Sequence, residues 1–81
     1  MATIAQVAAQ RRRQVSVVRV AYRSADTAGE IFERKLKAYA NKKKMIESQD
    51  MSSLNTLYRD YINKMSQIEK ELTNLNNLVN A

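Results

Sequence analysis

The stretch MSSLNTLYRDYINKMSQIEKELTNLNNLV, residues 51–79, decides the fold. Its apolar residues fall at alternating steps of three and four: Met51, Leu54, Tyr58, Tyr61, Met65, Ile68, Leu72, Leu75 and Val79. Such steps keep side chains on one side of a helix of 3.6 residues per turn, and about four unbroken heptads of them predict coiled-coil-like packing. Met51, Tyr58, Met65, Leu72 and Val79 take one core position, and Leu54, Tyr61, Ile68 and Leu75 the other. Leu57, Ile62 and Leu78 lie beside this seam and widen it beyond a two-stranded zipper. The helix is therefore expected to bury two faces, one inside the subunit and one against neighbours. Its outer positions are rich in Asn (Asn55, Asn63, Asn74, Asn76, Asn77, Asn80), a fair helix former, so the last turn is expected to fray.

Upstream, Phe32, Leu36, Tyr39 and Ile46 keep the same spacing, with Lys43 in one core slot and Ile31 and Met45 on the flank. This predicts a helix over 28–47. Thr27 and Glu30 stand at the spacing of a capping box at its start, weakened by Gly29 between them. Ser48-Gln49-Asp50-Met51-Ser52-Ser53 reads as the turn, in which Asp50, Ser52 or Ser53 can cap a second helix over 53–79. A connection this short folds the two helices back as an antiparallel hairpin.

Residues 1–26 form an adaptable basic segment with two readings. Ile4, Val7, Ala8, Val15, Val18, Tyr22 and Ala25 thread onto a helical seam broken at Arg11, while Gln14 to Val20 is β-branched and partly alternating, as a strand would be. Helix is favoured, because no other segment offers a strand to pair with and a strand here would need another subunit. The small residues Ala21, Ala25, Ala28 and Gly29 would let backbones approach closely or let the helix bend. The expected fold is all-α: one small domain over 1–81, an antiparallel helical hairpin with an additional N-terminal segment, assembled into an oligomer or filament.

Composition supports association over chemistry. The chain has 81 residues, one Gly and no Cys, His, Trp or Pro. A core this small is marginal and is commonly reinforced by disulfides, metals or partners. Without Cys there is no disulfide, and without His or Cys no ordinary zinc site and none of the best acid–base or nucleophilic groups. Oligomerisation is the stabiliser that remains. Glu69 and Glu71 have no nucleophile beside them, and Tyr22, Tyr39, Tyr58 and Tyr61 lie on or beside the seams, where packing is the better account of them. Met45, Met51 and Met65 read as adaptable packing. The chain is read as no enzyme, with no cofactor and no metal.

The formal charge of +6 is unevenly placed. Residues 1–50 carry eleven basic residues (Arg11, Arg12, Arg13, Arg19, Arg23, Arg34, Lys35, Lys37, Lys42, Lys43, Lys44) against five acidic ones, whereas Arg59, Lys64 and Lys70 balance Asp60, Glu69 and Glu71 in residues 51–81. Arg11, Arg12, Arg13, Arg19 and Arg23 are candidate anion contacts, since guanidinium groups suit phosphate oxygens. The plainer reading is a solvated or intersubunit ion-pair face, because no aromatic interleaves the arginines as a single-strand platform requires. Lys42, Lys43 and Lys44 are expected to complement the negative end of the first helix, in preference to touching lipid or nucleic acid. No apolar run approaches the roughly 20 residues of a membrane span, and the apolar residues Ile4 to Ala9 precede the arginines, the reverse of a cleavable Sec signal.

The layout resembles the needle-forming subunits of bacterial type III secretion systems. The match lies in a loosely patterned N-terminal segment, a helix, a short polar turn and a C-terminal helix, with Asp50-Met51-Ser52-Ser53-Leu54-Asn55-Thr56-Leu57-Tyr58 followed by Tyr61-Ile62 at the start of the last helix. The chain departs from that family in lacking turn prolines and an N-terminal Trp, and in its basic charge. Paired-helix secreted proteins of the Trp-x-Gly type share the hairpin, but this chain has no Trp. The resemblance implies export without a cleaved signal and helical polymerisation, possible partners being other copies, a secretion apparatus or a chaperone. Without it a cytoplasmic location is expected. The expected function is a structural self-assembling helical subunit, and the resemblance implies the filament subunit of a secretion apparatus. The alternatives are a small basic nucleic-acid-binding or regulatory oligomer using Arg11 to Arg13, or a helical export chaperone or adaptor. The expected assembly interface is Met51, Leu54, Tyr58, Tyr61, Met65, Ile68, Leu72, Leu75 and Val79, with Phe32, Leu36 and Tyr39.

Overall fold

A computed structural model describes residues 3–79, which form two α-helices, α1 (Ile4–Ala40, 37 residues) and α2 (Ser48–Val79, 32 residues). The helices lie against each other along an antiparallel hairpin 64 Å long and 15 by 13 Å across. There is no strand among the described residues. Asn80 of the Asn-rich row, and the first two residues of the N-terminal segment, lie outside the described residues.

The N-terminal segment is helix, continuous with the rest of α1. Its start is a capping box at Thr3 and Gln6: the Thr3 hydroxyl accepts the Gln6 N–H at 3.2 Å and the Gln6 side chain accepts the Thr3 N–H at 2.9 Å. The box expected at Thr27 and Glu30 is instead mid-helix, and α1 runs without a break from Ile4 to Ala40. Gly29 costs a helix about 1 kcal/mol relative to Ala, but here its bare Cα admits the Tyr61 ring. A Cβ at Gly29 would sit 3.0 Å from Tyr61 Cε1.

α1 ends at Ala40, and the connection spans 41–47 in place of the expected 48–53. The Asn41 N–H donates to the Lys37 carbonyl at 3.1 Å and the Lys42 N–H to the Tyr39 carbonyl at 3.2 Å. The shift follows from where the cap is. The Asp50 carboxylate accepts the backbone N–H of Glu47 at 2.9 Å, so α2 starts a turn earlier than Ser52 or Ser53 would have it. Lys42, Lys43 and Lys44 consequently follow α1 and do not end it; Lys37 is the basic residue of its last turn. Met45 and Ile46 lie exposed in the connection.

Contacts from Tyr39 to Asp50, Phe32 to Tyr58, Gly29 to Tyr61 and Gln14 to Glu71 step in opposite directions along the two helices and fix an antiparallel register. On α1 the less exposed residues are Val7, Ala8, Ala9, Gln14, Val18, Ala21, Ala25, Ala28, Gly29, Phe32, Lys35 and Tyr39; on α2 they are Asp50, Leu54, Leu57, Tyr61, Lys64, Ile68, Glu71, Leu75 and Leu78. From Gln14 onward, Gly29 aside, both sets alternate by three and four, the spacing of inner a and d positions. Only Ala25 (3 % exposed) and Ala28 (5 %) are fully buried among the described residues, and no large side chain is.

Candidate assembly surface

The seam on α2 is turned relative to the sequence reading. Leu54, Tyr61, Ile68 and Leu75 face α1 as expected, but the second inner row is Leu57, Lys64, Glu71 and Leu78. The row Met51, Tyr58, Met65, Leu72 and Val79 lies exposed on the flank. Periodicity locates a stripe, and here the stripe is wider than two rows. Spacing does not say which of its margins meets the neighbouring helix.

With Leu54, Tyr61, Ile68 and Leu75 as a positions, the exposed row is e. On α1, with Val18, Ala25, Phe32 and Tyr39 at a, the e row is Ala8, Val15, Tyr22, Gly29 and Leu36. In an antiparallel pair the two e rows lie along the same edge. Tyr22 and Met65 accordingly line one groove of about 220 Å³ with Ala25, Asp26, Gly29, Tyr61 and Ile68. Tyr22 and Leu72 line a second of about 520 Å³ with Val18, Arg19, Arg23 and Ile68. The two grooves share Tyr22 and Ile68, so they form one trough. Phe32 and Tyr58 continue it toward the turn, their ring centroids 5.5 Å apart and tilted by 46°.

The opposite edge is polar on α2 but mixed on α1, where Val17, Val20 and Ile31 are exposed and Ile31 and Ala38 line a groove with Leu57. Its d row on α2 includes Lys64 and Glu71, and its g row is Ser53, Asp60, Gln67 and Asn74. Gln14 donates to the Glu71 carbonyl at 3.0 Å, Lys64 pairs with Asp60 at 2.7 Å, and Lys35 lies 5.4 Å over the Tyr39 ring. A groove on this side holds Val17, Val20 and Ala21 against Ser24, Lys64, Gln67 and Glu71. Apolar residues thus enter it from α1 alone.

The turn end is held by polar contacts. Tyr39 Oη donates to the Asp50 carbonyl at 2.6 Å, and the Lys42 ammonium donates to the Asp50 carboxylate. That bond from Lys42, followed by the one from the Glu47 N–H, holds the Asp50 carboxyl below its ordinary 3.8. The same bond, reinforced by the Asp50 and Glu47 charges, raises Lys42 above its ordinary 10.5.

Among the other sequence-assigned residues, Phe32 and Tyr39 face α2 and Leu36 is on the apolar edge. Arg11, Arg12, Arg13, Arg19 and Arg23 are all exposed. Consecutive helical residues are turned by about 100°, so Arg11 to Arg13 fan around α1 and make no single patch. Arg12 and Arg19, seven apart, share the b row bordering the apolar edge. Sequence reasoning did not name Val15 and Tyr22 among the interface residues. The signal was the seven-residue repeat Ala8, Val15, Tyr22, Gly29, Leu36, hidden by the Arg11 interruption of the inner seam.

The described residues form two helices with a row of exposed apolar side chains along one edge. No helix of the structure is long and apolar enough to cross a membrane. The chain matches no family model, and no curated protein or solved structure matches it either.

Proposed function

We propose that this chain is a structural, non-catalytic helical subunit that assembles with copies of itself through the apolar edge. One observation carries the reading: α2 turns Lys64 and Glu71 toward its neighbour while an entirely apolar row, Met51, Tyr58, Met65, Leu72 and Val79, stays outside. Burial favours the most apolar face, at about 25 cal/mol per Å². A helix that leaves that face out has a use for it beyond the hairpin. The resemblance to needle-forming subunits favours a filament of a secretion apparatus as the final assembly.

The test is light scattering with electron microscopy of the purified chain across concentration, beside Leu72→Asp. Large uniform assemblies or discrete oligomers that Leu72→Asp abolishes support the proposal. A parent chain that remains monomeric at high concentration overturns it.

A further inference from the structure

We infer that the apolar edge is self-complementary, and that it takes a second copy of the chain antiparallel to the first, closing a four-helix bundle about a two-fold axis between Tyr22 and Met65. The inference rests on the proposed self-association and adds to it the partner face and its direction.

The e rows carry the first mark of the symmetry. About Tyr22, Val15 of one copy meets Gly29 of the other, beside the Tyr61 ring that lies over it, and Leu36 meets the small Ala8. About Met65, Tyr58 meets Leu72 and Met51 meets Val79. Tyr22 and Met65 lie in the same groove, so both rows centre on one place along the hairpin. The b row of α1, at the rim of such a contact, carries the second mark. It reads Arg12, Arg19, Asp26, Glu33, all exposed. Reversing the row about its centre places Arg12 opposite Glu33 and Arg19 opposite Asp26, whereas a parallel pair would set like charges against each other. Glu33 also pairs with Lys37 at 3.2 Å, but both side chains are mostly exposed, and such a pair re-partners at little cost.

The rows run from residue 8 to 36 and from 51 to 79, about 42 Å of helix at 1.5 Å per residue. A face of that length and 13 Å wide covers about 550 Å² on each copy, and the total of about 1,100 Å² passes the roughly 1,000 Å² that a specific interface needs. An isologous pair of this kind closes on itself. Growth into a filament then needs a second contact, for which Val17, Val20 and Ile31 on the other edge are exposed.

The chain has no Cys, so single cysteines report directly. Arg12→Cys and Glu33→Cys chains are mixed at a concentration where sedimentation shows association, then treated with a short bis-maleimide. Linkage of residue 12 to residue 33, with loss of both like-to-like products, is expected. Arg19→Glu and Asp26→Arg each reverse two symmetric rim pairs and should weaken association about tenfold, and combining them should restore it. Like-to-like linkage, or association with no linkage and no response to the charge variants, overturns the antiparallel pair while leaving self-assembly standing. A chain that sediments as a monomer at every concentration overturns both.

Discussion

The two long edges of the hairpin share the same two helices and the same register, yet on α2 one margin is apolar and the other polar. Along the first run Val15, Tyr22 and Leu36 of α1 with Met51, Tyr58, Met65, Leu72 and Val79 of α2. Along the second, the α2 margin is Lys64, Glu71, Asp60 and Gln67. Water accounts for the second margin of α2: half-exposed Lys64 and Asp60 keep solvent as well as each other. The first margin leaves five apolar side chains exposed. The difference separates residues that make the hairpin from residues that it leaves outside, and substitutions can test that division.

The largest effect is expected from placing a charge on either side of it. Ile68→Asp puts an uncompensated carboxylate between the helices and should cost about 3 kcal/mol or more, seen as loss of the cooperative melt in circular dichroism. Leu72, 48 % exposed, is one turn away on the apolar edge. Leu72→Asp should change the melt of the isolated hairpin by less than about 1 kcal/mol while eliminating association in light scattering. Equal unfolding by both would erase the distinction between inner face and edge.

A smaller effect is expected from making the polar margin apolar. Glu71→Leu should raise hairpin stability by about 1 kcal/mol through added burial, read as a higher Tm at a concentration where the chain is monomeric. A lower Tm would mean that the half-buried carboxylate, which accepts from Asn74 at 2.9 Å, holds the register.

The turn affects both edges equally, and its contribution depends on pH. Because the folded Asp50 titrates below 3.8, the stability it adds is complete above that value and is lost as pH falls through the lower folded pKa. Because the folded Lys42 titrates above 10.5, its contribution is complete below that value and is lost as pH rises through the higher folded pKa. The difference in Tm between the parent and Asp50→Asn should be constant at neutral pH and shrink at both extremes. A difference independent of pH would remove the ion pair from the account of the turn.

The smallest effect is expected from Arg12→Ala, an exposed site whose loss should leave the melt within about 0.5 kcal/mol of the parent. A large loss of stability would place Arg12 inside the hairpin and move the b row off the rim.

Most of the fold was legible because helix periodicity is strong and local. The hairpin and the inward row Leu54, Tyr61, Ile68, Leu75 follow directly from the spacing. The boundaries were less so. Thr3-x-x-Gln6 and Thr27-x-x-Glu30 carry equivalent capping patterns, and only the context of a continuing helix makes the first a cap and leaves Thr27 and Glu30 exposed mid-helix. The helical outcome for the valine-rich 14–20 stretch depended on an argument by elimination, since β-branched residues tolerate either state.

The sequence by itself determined that this chain is helical, basic and wider in its apolar stripe than one neighbour can cover, because those properties reside in local spacing and composition. Tertiary structure alone decided which margin of the stripe turns inward. That choice shows where Gly29, with Ala25 beside it, receives the Tyr61 ring, a long-range fit between residues more than thirty apart in the chain. Once it is made, the row through Met65 and Leu72 is left as the outer edge of the hairpin.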